Sequence, residues 1–250
     1  MSFIIFLESL KIHKLRHERT IQLWFVALYI INLLPLVLPV GDKDFSALIL
    51  AFDAMLGGDF SVQPAWELLT RGNWLILGLM TLTSVITMFF SLMYATLYVG
   101  EKDGMTPAEA VRRCLRTLPR LFVLVLLLAV PAMMTVMLAF IPLIIFFFMM
   151  YFMPLNLTLD RQALLPAMQA SFESTRRKKL FIFFKVLLVS FVLQLPQNLI
   201  QNLVSSALPF YALNTFFIVL QAFVQARLMG ILYLHLVKKA PFVIPSQKAA

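Results

Sequence analysis

The chain has 250 residues, of which 61% belong to the hydrophobic class and only 13% are charged, and its mean hydropathy is +0.90. A soluble domain of this length must wet its outer shell and charges about a quarter of its residues, so this composition excludes an ordinary water-soluble fold and points to lipid as the solvent. The formal net charge of +9 fits Lys and Arg facing anionic headgroups rather than nucleic acid, which is not expected as a partner.

In chain order, residues 1–10 are apolar but contain Glu8 and precede the basic cluster Lys11, Lys14, Arg16 and Arg19. That order is the reverse of a cleavable signal peptide's. Phe3, Leu7 and Leu10 form an apolar stripe and predict an interfacial helix within 1–20. The first span of roughly 20 apolar residues is predicted at 21–40. Residues 41–72 form the largest segment on the other side and carry Asp42, Asp44, Asp53, Asp59 and Glu67. Within it Phe45, Leu48, Ile49, Phe52, Met55 and Leu56 recur at helical spacing, with Gly57 and Gly58 as a stop. This predicts a short amphipathic helix on the outer leaflet or capping the bundle.

A second span is predicted at 73–99. An uncharged run covers 121–159, too long for one helix, with Pro131 and Pro142 near its middle. It is read as a hairpin turning near 140–142, giving spans at 121–139 and 143–159. The fifth and sixth spans are predicted at 180–203 and 214–237, followed by a tail at 238–250. The segments 1–20, 100–120, 160–179 and 238–250 hold four, five, five and three of the 21 Lys and Arg residues. The positive-inside rule makes that side cytoplasmic and puts both termini there.

The basic side repeats a unit. Thr106, Pro107, Ala108 and Glu109 read as a capping box with proline at the first helical position. The helix they open has Val111, Cys114, Leu115 and Leu118 on one face and Arg112, Arg113 and Arg116 on the other. Leu165, Pro166 and Ala167 open a similar stretch that closes on Arg176, Arg177, Lys178 and Lys179, and the N-terminus offers a looser third copy.

The order Gly100, Pro107-Ala108-Glu109-Ala110, Leu118-Pro119-Arg120-Leu121-Phe122, an apolar hairpin at Ile141-Pro142, then Ala170-Ser171-Phe172 resembles the YciC-type bacterial inner-membrane proteins. It is also similar to the membrane domain fused to some glycerophosphodiester phosphodiesterases. The resemblance covers 73–239, lies mostly in layout, and departs from the family at Leu143, where the family has glycine after the hairpin proline. It implies a six-helix bundle without known catalytic residues.

Polar side chains at bilayer depth are the usual place to look for function. Gln194, Gln197, Asn198, Gln201 and Asn202 fall at i, i+3, i+4, i+7 and i+8 and share one face of the fifth span, beside Pro196. Asn214, Gln221 and Gln225 of the sixth span can face them, with Arg227 further toward the cytoplasm. The arrangement reads as either a polar groove or interhelical hydrogen bonding. Arg227 is expected to pair with Asp160 or to snorkel. His13 and His17 lie at i, i+4, but nothing completes a metal site, and no catalytic motif, cofactor site or metal site is expected.

Together these features predict an all-α integral membrane protein. It has six transmembrane helices in three hairpin units, each preceded by a basic amphipathic interfacial helix. One membrane domain spans 1–250: an interfacial helix at 1–20, a first hairpin at 21–99 with its outer loop at 41–72, a second unit at 100–159, a third at 160–237 and a cytoplasmic tail at 238–250. The expected location is a bacterial cell membrane. The expected function is a non-enzymatic accessory or scaffold of the envelope. It would engage anionic lipid headgroups or a partner through Arg112, Arg113, Arg116, Arg120, Arg176, Arg177, Lys178 and Lys179. The alternative is a transporter or permease-type subunit using the carboxamide groove, with another membrane subunit or an ATPase docked on the basic helices.

Overall fold

The computed structural model describes residues 2–58, 65–135, 146–204 and 206–240. It is all-helical over those residues. In order, the helices are α1 (Ser2–Leu10), α2 (Glu18–Val37), α3 (Ser46–Leu56), α4 (Ala65–Leu68), α5 (Arg71–Gly100), α6 (Pro107–Thr135), α7 (Met153–Leu159), α8 (Leu164–Thr175), α9 (Lys179–Leu203) and α10 (Ala207–Leu236), with a 3-10 turn at Glu101–Asp103.

Four of these are long and apolar enough to cross a membrane: Glu18–Val37, Arg71–Asp103, Lys179–Ile200 and Ala207–Leu236. They correspond to the first, second, fifth and sixth predicted spans. The last begins seven residues before the predicted start at 214, because Leu208, Phe210 and Tyr211 extend its apolar run. Pro35 and Pro196 lie inside α2 and α9 without ending them.

The middle of the chain differs from the expected hairpin. The turn near 140–142 lies outside the described residues. The helix opened by Pro107 continues unbroken to Thr135, so the predicted second interfacial helix and the start of the predicted third span form one rod. On the far side, residues 146–159 form an apolar helical stretch interrupted at Met150–Phe152, where 143–159 was expected as a straight span. The two backbone groups freed by the interruption are taken up by the next helix. Ser171 Oγ donates to the Met149 carbonyl at 2.8 Å and accepts from the Phe152 amide at 3.2 Å, and Thr175 Oγ1 donates to Met149 at 3.3 Å. A break in a helix among apolar side chains survives only where protein satisfies the backbone in this way.

Helix α10 sits at the centre, in contact with α1, α2, α5 and α9, while α6 and α7 pack on α5 and on each other. A helix apolar on every side belongs inside, and Val219, Phe223, Val224, Leu228, Leu232 and Tyr233 of α10 are buried. Phe223 packs against Phe25 and Tyr94, and Tyr233 against Phe152. The outer surface stays apolar: Leu23 on α2, Met88 on α5, Phe184 on α9 and Leu208 on α10 are all at least 60% exposed. Water does not tolerate such a girdle on a monomer, and acyl chains do.

Polar pairs hold the long helices to one another. Asn32 of α2 donates to Thr87 of α5 at 3.0 Å, Gln225 of α10 to Ser190 of α9 at 2.9 Å, and Gln197 of α9 to Asn214 of α10. Such bonds between membrane helices contribute about 0.6 kcal/mol each.

Two opposite ends follow from the contacts. At one, Lys43 caps α2 through the carbonyls of Leu36 and Leu38, and Asn73 donates to the carbonyls of Asp42 and Asp44 while closing a capping box with Thr70. A Cβ on Gly72 would stand 2.6 Å from the Asp42 nitrogen, so only glycine lets the two segments cross there. At the other end gather the N-terminal segment, the 3-10 turn, the start of α6 and the end of α10. The Arg16 amide donates to the Glu101 carboxylate, Tyr94 donates to the Ile12 carbonyl at 2.9 Å, and Lys238 pairs with Asp160 at 2.7 Å.

The N-terminal helix forms where expected, but its buried face differs. Ile5, Phe6 and Ser9 are buried, and Leu7 is exposed. Packing on α10 and α9, rather than on headgroups, selects that face.

Candidate anion-binding cleft

The first four turns of α6 build the site. The helix starts at Thr106, whose Oγ1 accepts from the Glu109 amide at 3.3 Å. The Glu109 side chain does not complete the predicted capping box. It accepts instead from Arg113 Nε at 3.1 Å and from Arg113 Nη2 at 2.5 Å. Val111 is partly buried, and Ala110 and Cys114 fully so, against the core beside α5, with the Cys114 sulfur 3.6 Å from Thr96 Oγ1. That docking turns the i, i+3, i+7 row Arg113, Arg116 and Arg120 toward the end of α7.

There the row meets Arg161. Helix α7 ends at Leu159, and Asp160 is fixed by the Tyr233 hydroxyl at 3.1 Å and Lys238 at 2.7 Å. The next residue turns into the left-handed region, with Arg161 at φ 51°. Glycine usually holds that position, because a Cβ there meets the neighbouring carbonyl. Arg120 Nη1 donates to the Gln162 carbonyl at 3.0 Å and closes one edge.

The result is a cleft of about 180 Å³ lined by Arg113, Arg116, Arg120 and Arg161, with Thr117, Leu157 and Thr158 also on its wall. Thr117 and Thr158 are buried, and their hydroxyl protons are committed to the Arg113 and Pro154 carbonyls at 2.8 and 2.5 Å. The donors available to a guest are therefore guanidinium N–H groups. Glu109 compensates Arg113, whereas Arg116 and Arg161 form no hydrogen bond or ion pair through their side chains among the described residues. Four guanidinium groups around one small space, with one carboxylate on the rim, make a site of net positive charge suited to phosphate or carboxylate oxygens.

Of the predicted basic residues, Arg113, Arg116 and Arg120 come together here. Arg112 is exposed and lies outside the cleft, as do Arg176, Arg177 and Lys178 at the end of α8. Lys179 lies over the Phe172 ring at 5.4 Å. Arg161 was missed as a candidate. A single basic residue 41 positions after Arg120 carries no local signal, and only the αL turn after α7 brings it in.

The carboxamide face is dispersed. Gln194 and Asn198 are exposed on α9, Gln197 is engaged with Asn214, Gln225 with Ser190, and Gln221 is half-buried. The side chains of Gln201 and Asn202 lie outside the described residues. Arg227 departs from expectation. It is buried at 3% exposure and donates to the Glu8 carbonyl at 2.7 Å, the Lys14 carbonyl at 3.3 Å and the Tyr94 hydroxyl at 3.2 Å, with its guanidinium 4.8 Å from the Tyr98 ring centre. The expected Arg227–Asp160 pair is absent because Asp160 belongs to Tyr233 and Lys238. His13 and His17 sit in turns rather than on one helix, and no group of three metal-binding side chains occurs among the described residues.

No protein-family model, curated protein or solved structure matches the chain.

Proposed function

We propose that this protein is a non-enzymatic multi-pass membrane protein that engages anionic lipid headgroups through a basic cytoplasmic face. The observation that carries the reading is the four-arginine cleft between α6 and the end of α7. It lies at the end of the bundle where the N-terminal segment, the 3-10 turn and the tail of α10 also meet, and each of these adds Lys or Arg. A second, shallower hollow of about 420 Å³ is bordered by Lys14, Arg16 and Lys102 with Glu101 among them. Cations concentrated at one end of an apolar bundle lie where headgroup phosphates are densest, and each contributes about 1 kcal/mol near an anionic surface. The same asymmetry supports cytoplasmic N- and C-termini in a bacterial cell membrane. The engagement of Gln197 with Asn214 and of Gln225 with Ser190 favours lipid engagement over a transport groove between α9 and α10.

The test is native mass spectrometry of the detergent-solubilised protein with phosphatidylglycerol and phosphatidylethanolamine in equal amounts. Retention of phosphatidylglycerol in excess, reduced when Arg113, Arg116 and Arg120 are changed to Gln together, is the expected result. Equal retention of both lipids by the unmodified protein refutes the reading.

A further inference from the structure

Resting on the headgroup reading above, we infer that the Arg113–Arg116–Arg120–Arg161 cleft is selective for a terminal phosphate, a phosphomonoester or diphosphate, over the phosphodiester of ordinary phospholipids. Three observations support it.

The first is charge. Arg113 is compensated by Glu109 at 2.5 Å, but Arg116 and Arg161 have no carboxylate partner among the described residues, and Arg120 is held only by a neutral carbonyl. That leaves three uncompensated guanidinium charges around a space of about 180 Å³. A diester supplies one negative charge there, whereas a terminal phosphate supplies about 1.5 to 2 and a third non-bridging oxygen. Arginine forks pair oxygens two at a time, so the extra oxygen gives a second fork a partner.

The second is size. The cleft is smaller than the roughly 300–1,000 Å³ of pockets that enclose a whole drug-sized ligand, so it takes a group rather than a molecule. A phosphate at the tip of its carrier enters such a space. One substituted on two sides meets the wall of Leu157 and the buried Thr117 and Thr158.

The third is the route outward. Past the arginine row, α6 continues with Phe122 and Val123 exposed, and Val123, at i+7 from Arg116, prolongs the arginine face. This apolar surface follows directly on the cations, which favours a lipid-borne phosphate over a soluble one. The backbone adds weight: Arg161 holds an αL position that favours glycine, and strain of this kind persists where the side chain is needed.

The experiment uses the full chain in phosphatidylcholine nanodiscs, with phosphatidic acid, phosphatidylglycerol or soluble inorganic pyrophosphate as the probe, and reads binding by native mass spectrometry and titration. Phosphatidic acid is expected to bind at least about fivefold more tightly than phosphatidylglycerol. Arg116→Gln with Arg161→Asn is expected to remove that preference, since Gln suits an exposed helical position and Asn tolerates αL. Arg112→Gln with Arg176→Gln, equal in charge change but outside the cleft, is expected to keep it, and melting curves establish that all variants fold. Binding of pyrophosphate that depends on Arg116 and Arg161, without phosphatidic acid binding, supports the same phosphate chemistry from a soluble source. Equal binding of the two lipids, both weakened by the variants, overturns the inference and leaves the headgroup reading standing. Binding of neither lipid above the phosphatidylcholine background, with no pyrophosphate binding, overturns both. A preference that survives in the cleft variant, or disappears in Arg112→Gln with Arg176→Gln, assigns selectivity to surface charge and overturns the inference alone.

Discussion

Replacing Arg227 with leucine should unlock the N-terminal helix while the long helices stay packed. Two of the three acceptors of its guanidinium are backbone carbonyls of the N-terminal segment, Glu8 at 2.7 Å and Lys14 at 3.3 Å. Glu8 lies in the last turn of α1, where carbonyls have no partner within the helix. Arg227 therefore caps α1 from another element, and a cation at that end also suits the helix dipole. A hydrogen bond from a charged donor contributes about 1.5–3 kcal/mol, so the short bond and the long one together contribute about 3–4 kcal/mol. Leucine also removes the cost of burying a guanidinium, which offsets part of the loss. The net effect on docking of α1 is then about 2–2.7 kcal/mol, or roughly 30- to 100-fold in the opening equilibrium. A nine-residue helix has too few turns to persist undocked. Hydrogen exchange in nanodiscs reads this directly: amides of residues 4–16 should exchange roughly 30- to 100-fold faster, with those of α5 and α10 unchanged. Glu8→Gln is the control, because the carbonyl rather than the carboxylate accepts from Arg227, and it should shift exchange by less than tenfold. Unchanged protection of residues 4–16 would refute the capping role. A uniform rise across every helix would instead make Arg227 part of the global core.

Three further outcomes follow from local contacts. Asn73 is buried and holds the α5 capping box and two carbonyls of the preceding loop; Asn73→Leu should cost about 2–4 kcal/mol, seen as a lower melting temperature in detergent. Ser171→Ala with Thr175→Val leaves the Met149 carbonyl and the Phe152 amide unpaired inside the protein, at about 1–3 kcal/mol each, and chemical denaturation should show a loss greater than either single change gives. The Ser46 amide and hydroxyl hold the Asp44 carboxyl below its ordinary range. Because the folded value is the lower one, this contribution at the start of α3 is complete above about pH 4 and is lost as pH falls further. Exchange of the Ser46 amide should therefore rise only below that pH, and Asp44→Asn should abolish the step.

How much of this was legible beforehand depended on whether a feature was local in sequence. Spans announced themselves through uncharged apolar runs, and four appear close to the expected places because length and hydropathy alone determine whether a helix suits a bilayer. The arginine face of α6 was readable in part: Arg112, Arg113 and Arg116 were expected on one face, but only the last two reach the cleft, where Arg120 joins them. The broken stretch before α7 was not: nothing between Phe146 and Leu159 says that Ser171 and Thr175 will stand opposite Met149 and replace the lost backbone bonds. Arg161 was invisible for the same reason, being brought to the row by a turn whose left-handed conformation a non-glycine residue does not advertise. The carboxamide periodicity on α9 was real as a pattern, yet Gln197 is taken by Asn214 and Gln225 by Ser190, so spacing recorded which residues share a face and not what that face meets. Of the two alternatives for Arg227, pairing with Asp160 or snorkelling, the pair came from matching opposite charges by depth, and it does not form. The structure satisfies each from a different source, carbonyls and a phenol for the arginine, a phenol and a lysine for the aspartate.

The strained residues point back to the same face. Among the described residues, the non-glycine positions with positive φ are Arg161, Arg177 and Lys239, each just past the end of a helix, α7, α8 and α10 respectively. A cation beside a helix C-terminus gains about 0.3–1 kcal/mol from the dipole. The left-handed conformation costs a residue with a Cβ about 1–2 kcal/mol. Dipole stabilisation therefore does not explain why all three positions carry Lys or Arg in place of glycine. A need for cations at the surface does. Arg177 and Lys239 serve that need as exposed charges. Arg161 alone of the three joins a lined cleft. There strain, uncompensated charge and an adjoining apolar surface coincide, which is why the site is placed there rather than spread over the whole basic face.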